Sequence, residues 1–507
     1  LAHERERDAW VIESLAMQLS DKTAGTLARR LYDALRERIQ AGELGPGTRL
    51  PSSRRLAREL GLGRNTVLDA LERLVAEGFA EARQGAGLFV AALDLTPVTS
   101  PPGEARVELP PLSRRGRELL ERCGDMRGSH RAFAPGIPAL DRFPHALWAR
   151  LLRRHQRHVP TAWLGYQTQG GLPALKAALA DYLQLSRSVR CRPEQILITQ
   201  GAQQGFELIA RLLTDPNDPV WIEEPGYGGA QACFAAAGLE RIPVPVDDQG
   251  IDPAAAPASP SPRLIYTTPS HQYPAGATLT LARRLALLAA AERHGAWLVE
   301  DDYDSEFRYT TPPVASLQGL ATQAPVIYVG TFSKVLYPGL RLGYLVLPEA
   351  LVDDFRRANA RLHREGGYAV QAALADFIAE GHFARHVARM RHCYRQRQVC
   401  LREALAPALA EGLELTRGQA GMHLVAWLDD HAQERDLVAR GEAAGVTLAP
   451  LSRFYLGEAS RPGLVLGYAG ADEAEIARAG AWLCQAWRET RSPRLPQRSG
   501  QADPTGE

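Results

Sequence analysis

In the N-terminal part of the chain, apolar residues recur three and four positions apart. Leu27, Leu31, Leu35 and Ile39 form such a stripe in TLARRLYDALRERIQAGEL, and this spacing predicts an amphipathic helix. The turn residues of GPGT (45–48) end it. Ser52 or Ser53 can cap a short second helix, SSRRLARELG, which stops at Gly61. Gly63-Arg64-Asn65 opens a third, TVLDALERLVAEG, in which Val67, Leu71, Leu74 and Val75 are expected to face inward. Phe79 to Val90 reads as a strand, a turn at Gly85-Ala86-Gly87 and a second strand. Three helices and a hairpin within residues 26–91 make the pattern of a winged helix-turn-helix, preceded by a polar segment, 1–25.

The pattern then changes. Residues 92–128, with LTPVTSPPGEARVELPPLSRRG, are rich in Pro, Ser and charge and predict a partly extended linker. From 129 to 490, helical stretches alternate with short apolar runs: QILIT, VWIEE, RLIYTTP, AWLVEDDY, VIYVGTF and GYLVLP. Buried strands separated by helices imply a multidomain chain whose second part is an α/β fold with a largely parallel sheet. The tail, 491–507, is Pro-rich and polar and is expected to be disordered. No internal repeat is visible.

Composition narrows the function only locally. The chain has 507 residues, 45% hydrophobic and 23% charged, and a net charge of +1, so any nucleic-acid surface must be confined to one part. The six cysteines form no CxxC pair and no Cys/His set at zinc spacing, so no metal is expected and a reducing cytoplasm fits. No apolar run approaches the ~20 residues that span a bilayer. Of the 59 basic residues only Lys22, Lys176 and Lys334 are lysines, which makes each one easy to question.

Between Leu27 and Val90 eleven arginines face eight acids, and their placement matters more than the excess. Arg49, Arg54 and Arg64 fall near the N-termini of the second and third helices. There a guanidinium can fork onto phosphate or guanine while free helix N–H groups favour phosphate. Ser52 heads the second helix beside them and is grouped with these contacts. Asn65 and Thr66 add donors where a recognition helix meets base edges, and the hairpin tip Arg83-Gln84-Gly85 can reach an adjacent groove. A helical protein-interaction module with a solvated Arg face would show the same charge. The unbroken text LPSSRRLARELGLGRNTVLDALERLVAEGFAEARQGAGLFV, however, resembles the DNA-binding domain of the GntR family of bacterial transcription regulators. The resemblance implies operator contact by Arg54, Arg64, Asn65, Thr66, Gln84 and Gly85. Leu68 stands where many members have a polar residue, which narrows the expected base contacts.

In the second part, Lys334 follows an apolar strand in VIYVGTFSKVLYPGLRLGY. A lysine that adds to an aldehyde needs partial desolvation, which a loop leaving a buried strand supplies; a structural ion pair is the alternative. LVEDDYDSEF (298–307) ends another strand in carboxylates. Asp301 is placed to hold a pyridine nitrogen protonated, and Tyr303 to bond a phenolic oxygen, as pyridoxal phosphate requires. TQGAQQGFELIARLL puts a small-residue turn before a long helix, a phosphate cradle, and EEPGYGG offers Tyr227 for stacking.

Together, residues from Arg131 to Trp487 resemble the fold-type I aminotransferases. That resemblance implies Lys334 as the Schiff-base lysine, Asp301 on the ring nitrogen, Tyr303 on the phenolic oxygen and Tyr227 on the ring face. Gly201, Ala202, Gln203, Thr331, Ser333 and Arg341 would hold the phosphate. Tyr166, in GYQTQGG, resembles the tyrosine that reaches the neighbouring subunit's phosphate, which implies a homodimer. Two departures stand out. The family's Asn-Pro-x-Gly appears as His271-Gln272-Tyr273-Pro274-Ala275-Gly276, with His271 or Gln272 in the asparagine's place and Gln272 the expected cofactor contact. In GLVLGY (463–468) Val465 falls where a substrate-carboxylate arginine is expected, leaving Arg453 or Arg461 as substitutes.

A GntR-like head joined to an aminotransferase-like domain resembles the MocR-type regulators. The implied function is control of transcription that depends on pyridoxal phosphate. The implied partners are operator DNA and a small effector (the cofactor itself or an amino compound), in a cytoplasmic, domain-swapped homodimer. A working aminotransferase with an accessory head is the competing expectation. An inert scaffold is disfavoured because Lys334, Asp301, Tyr303 and Arg341 are all present.

Overall fold

The computed structural model describes residues 12, 15, 16, 25–92, 110–122, 131–309, 314–322 and 325–491. Lys22, Cys123 and the tail beyond 491 lie outside them. The chain divides into two compact units, residues 1–110 and 111–507.

The smaller unit contains α1 (Leu27–Gln40), α2 (Ser53–Glu59), α3 (Arg64–Ala76) and a hairpin of β1 (Ala80–Arg83) and β2 (Gly87–Val90). Thr26 caps α1 by accepting the Arg29 amide, and Ser52 caps α2 by accepting that of Arg55. Leu31, Leu35 and Ile39 meet Leu56, Val67, Leu71, Leu74 and Val90 in one core. Two expected core positions differ. Leu27 is 47% exposed, because it stands on the first turn of α1 while the core gathers farther along. Val75 is 37% exposed: Val67, Ala70, Leu71 and Leu74 already form the inward stripe, and the next residue turns about 100° away. Backbone bonds from Leu50 N to Leu88 O (2.8 Å) and Val90 N to Thr48 O (2.8 Å) lay the 48–50 segment, with Arg49, along the wing.

The larger unit begins with a helix inside the expected linker, α4 (Arg114–Arg122). The prolines end at Pro111, and Ser113 Oγ accepts the Gly116 amide at 3.1 Å, so a helix can start there. The main sheet has eight strands in the order β3 (Ile196–Thr199), β10 (Gly343–Val346), β9 (Val326–Thr331), β8 (Trp297–Asp302), β7 (Leu264–Thr267), β4 (Pro219–Glu224), β5 (Glu240–Asp247) and β6 (Gly250–Ile251). The pairs from β9 to β5 are parallel; β10 is antiparallel to both its neighbours, and β6 to β5. Apolar clusters cover both faces, which explains why the central strands read as continuous apolar runs. A second, antiparallel sheet joins β11 (Glu414–Leu415), β12 (His423–Trp427), β14 (Gly463–Gly467) and β13 (Ala449–Pro450). The carboxyl ends of β3, β4, β7, β8 and β9 deliver Gly201, Glu224, Thr268, Asp301 and Thr331, and in sheets of this type that end receives ligands.

Candidate functional site

In the smaller unit α3 starts at Gly63 without a side-chain cap, so its first amide groups stay open, and Arg64 and Asn65 are exposed beside them. Arg54 is exposed on α2. Among the described residues neither Arg54 nor Arg64 makes an ion pair, whereas Arg55 and Arg58 share Glu59. Thr66 and Leu68 are half-buried on the same helix. At the wing, Arg49 lies over Gly87, where an added Cβ would stand 3.3 Å from its Nε. Gln84 and Gly85 form the exposed tip, and Gly85 takes φ +76°, which favours glycine. Arg83 lies over the Phe89 ring (4.5 Å) and pairs with Glu81 (2.6 Å) on the surface. An exposed pair contributes only about 0–1 kcal/mol, so a phosphate can take that arginine over.

In the larger unit β8 ends in three acids with different tasks. Glu300 accepts the Leu317 and Gln318 amides (2.8 and 2.9 Å). Asp302 is paired with Arg187, whose Nε and Nη2 each donate at 2.8 Å, and it also accepts the Tyr328 hydroxyl. Asp301, turned the other way by strand alternation, accepts, among the described residues, only Tyr266 Oη–H on Oδ2, at 2.6 Å. Its Oδ1 is buried without a partner. Burial raises the Asp301 carboxyl to about 7, with the Tyr266 hydrogen bond acting the other way. Oδ1 therefore has room for one further hydrogen-bond donor.

Lys334 Nζ donates to Gly136 O at 3.0 Å. Burial holds its amine below the ordinary lysine range, against the attraction of Asp304 and Asp301. Gly136 has φ +74°, and a Cβ there would stand 2.8 Å from Nζ, so glycine is needed for this approach. The segment carrying it is fixed to the second sheet, where Gly467 N donates to Phe133 O at 2.9 Å.

Opposite, α5 (Ala202–Leu213) begins at Gly201, φ +89°, with no side-chain cap. A Cβ on Gly201 would face the Arg341 guanidinium at 3.6 Å, and among the described residues that exposed guanidinium makes no ion pair. Thr331 Oγ1 accepts the Ser333 amide at 3.2 Å and lies 3.1 Å from Ser333 Oγ. Open amides of Ala202 and Gln203, two hydroxyls and an unpaired arginine suit a phosphate dianion. Tyr227, before α6 (Gly228–Ala237), accepts from Gln203 Nε2 at 3.2 Å, and its ring meets Tyr273 edge-on at 5.8 Å. Tyr166 is 85% exposed, with Arg364 over its ring at 4.9 Å.

The two departures resolve differently. Gln272 spends its amide on its own loop and on the end of β4: Nε2 donates to Tyr273 O and Pro225 O (2.8 Å each) and to Glu223 Oε2 (3.1 Å), and Oε1 accepts the Ala275 amide. The structure brings His271, not Gln272, to Tyr303, with Nδ1 2.9 Å from the hydroxyl. Val465 is fully buried with Val425, Leu451 and Phe454. Arg461 is committed to Glu414 (2.8 Å) and the Trp427 ring (3.9 Å), while Arg453 is exposed on the turn Leu451–Phe454, whose Phe454 packs on Tyr273 at 5.3 Å. Sequence reasoning missed Tyr266, Asp304, His423 and Gly136. Asp304 had a signal in its place just after β8, beside Asp301 and Tyr303, whereas Tyr266 and Gly136 had none. Among the described residues no His/Cys/Asp/Glu group could hold a metal ion, and no helix is long and apolar enough to cross a membrane.

These features define a class: a winged helix-turn-helix unit joined in one chain to a domain of aminotransferase type. Residues 27–90 match the bacterial regulatory proteins of the gntR family, and residues 140–480 match aminotransferase class I and II. The chain belongs to the MocR-like family of helix-turn-helix transcription regulators that carry an aminotransferase class I and II domain. It is 43% identical to the probable rhizopine catabolism regulatory protein MocR of Rhizobium meliloti, over 88% of this chain and 90% of that protein. It is 32% identical to the pyridoxine biosynthesis transcriptional regulator PdxR of Corynebacterium glutamicum, over 91% and 96% respectively. Among solved structures, the α-aminoadipate aminotransferase LysN of Thermus thermophilus, complexed with N-(5'-phosphopyridoxyl)-L-leucine, is 29% identical with a TM-score of 0.66, covering 75% of this chain and 95% of that one.

Proposed function

We propose that this transcription regulator binds operator DNA through its winged head and pyridoxal phosphate in its larger unit, as a cytoplasmic homodimer. The observation that carries the reading is the unpartnered, buried Oδ1 of Asp301 in the same site as a desolvated Lys334. Asp301 would hold the ring nitrogen, Tyr303 the phenolic oxygen, and Tyr227 the ring face. Gly201, Ala202, Gln203, Thr331, Ser333 and Arg341 would hold the phosphate, with Tyr166 reaching the site of a second copy. When bound, the cofactor supplies an aldehyde and an electron-withdrawing ring. Lys334 supplies the amine, and burial favours its neutral form.

The effector is the cofactor or an amino compound whose acid group meets Arg453, on the turn packed over Val465. Binding that differs between two arrangements of the dimer shifts their balance, so effector and operator change each other's affinity. The buried Val465 and the committed Arg461 favour this reading over a dedicated aminotransferase. The test is an absorbance spectrum of the purified chain with pyridoxal phosphate, followed by titration with operator DNA and with a panel of common amino acids. Cofactor-sensitive DNA binding with slow or absent amino transfer supports the regulator. A colourless protein refutes the cofactor, and transfer at rates of a dedicated aminotransferase refutes the regulator in favour of the enzyme.

A further inference from the structure

We propose that Asp304 and His271 are positioning residues that aim the hydroxyl proton of Tyr303 into the site, toward the phenolic oxygen of pyridoxal phosphate. The direction of aim rests on the cofactor reading above; the proton arrangement does not.

His271 Nδ1 stands between two oxygens, Asp304 Oδ2 and Tyr303 Oη, each at 2.9 Å. In the ring plane this nitrogen holds either one hydrogen or one lone pair, so it cannot donate to Asp304 and accept from Tyr303 together. Both His271 and Asp304 are buried, and Asp304 Oδ1 has no partner. A bare Nδ1 would set a lone pair against the carboxylate and leave that buried group without its one hydrogen bond, a costly state. A hydrogen on Nδ1 instead gives a charge-assisted bond, roughly twice as strong as a neutral one. With Nδ1 filled, the Tyr303 proton has no acceptor on the histidine and must turn elsewhere.

The surroundings hold this choice in place. An added Cβ at Gly421 would stand 1.8 Å from His271 Cε1 and one at Gly276 3.5 Å from Nε2, so the ring sits in a notch left by two glycines. His423 faces it from β12 at 5.0 Å, and its own Nε2 is 2.9 Å from Pro274 O. Burial takes His423 down to about 3, so it stays neutral there. Tyr273 packs against both His423 (5.2 Å) and Tyr303 (5.8 Å), and the Lys334 amine is near enough to interact with Asp304.

A hydroxyl donating to the phenolic oxygen stabilises negative charge on it and lowers the pH at which the bound cofactor's visible spectrum changes. Two measurements test the idea. In the cofactor-free full-length chain, nitrogen NMR of labelled histidines should place His271 Nδ1 among protonated ring nitrogens, and a bare Nδ1 would overturn the proposal. In the loaded chain, Asp304→Asn and Tyr303→Phe should each raise the spectral midpoint by about one pH unit. The double variant should move no further than Tyr303→Phe alone, and additive shifts would overturn the relay. Should Asp304→Asn fail to fold, the wild-type nitrogen spectrum decides by itself. Should no variant or wild type take up cofactor, the cofactor reading and the aim toward it fall together, while the nitrogen spectrum still judges the Asp304–His271 arrangement.

Discussion

Replacing Asp301 by asparagine should make the cofactor-free protein more stable at pH 8, and less able to gain from cofactor. The rise of the buried carboxyl from its ordinary 3.8 to about 7 corresponds to about 4 kcal/mol of free energy. The sign follows from proton counting. Between 3.8 and about 7 the folded state holds a proton that the unfolded state has released, so stability falls as pH rises through that window and is level above it. Asparagine never ionises, and its oxygen can still accept from Tyr266. Its NH2 group, however, inherits the unpartnered position of Oδ1, at a cost of about 1–3 kcal/mol. The net expectation is a gain of about 1–3 kcal/mol at pH 8 that falls with pH and becomes a loss of about 1–3 kcal/mol by pH 4. Denaturant unfolding followed by tryptophan fluorescence is the assay, because seven of the eight tryptophans lie beyond residue 110 and the signal therefore reports mainly the larger unit. Added pyridoxal phosphate at a hundred times its Kd should stabilise the wild type by about 2.7 kcal/mol and the variant by much less. A variant that is no more stable than wild type at pH 8, or whose difference is the same at pH 4, would refute the reasoning about Asp301.

Three further outcomes are expected. Lys334→Ala should fold normally and lose the borohydride-sensitive visible band that wild type shows with pyridoxal phosphate, because one amine bonded to Gly136 O does not hold a core of this size; absorbance and circular dichroism check both halves. Arg64→Ala and Arg54→Ala should weaken operator binding by about 1–3 kcal/mol for a base contact, or lower the salt dependence by about one for a phosphate contact, with cofactor uptake unchanged in a fluorescence titration. Gly201→Ala should cost about 1–2 kcal/mol of stability, since a side chain at φ +89° is strained, and should weaken cofactor binding as its Cβ faces Arg341; unfolding and titration together test this.

The head was legible almost element by element, because its helices carry clear stripes and its turns carry glycine. Val75 and Leu27 were misread because a stripe tells which face is inward, not where the neighbouring element stops. In the larger unit the six apolar runs correspond to β3, β4, β7, β8, β9 and β10. By contrast, β5 carries Pro243 and Pro245, which read against a strand. Standing two apart, they put both missing donors on the same side of it, which a strand tolerates where its pairing is incomplete. Lys334, Asp301 and Tyr303 were visible because their chemistry is local to a strand end. Tyr266 and Gly136 were not, since Tyr266 comes from a neighbouring strand and Gly136 lies 198 positions before the lysine it meets.

That last contact turns the lysine into a mechanical tie. The Gly136 carbonyl is held by Lys334 Nζ, and a few residues earlier the same stretch of backbone is clamped to β14 through Phe133. Anything that takes up the amine of Lys334 also takes from the Gly136 carbonyl its hydrogen-bond donor, so occupancy of the pocket is felt in backbone anchored to the second sheet.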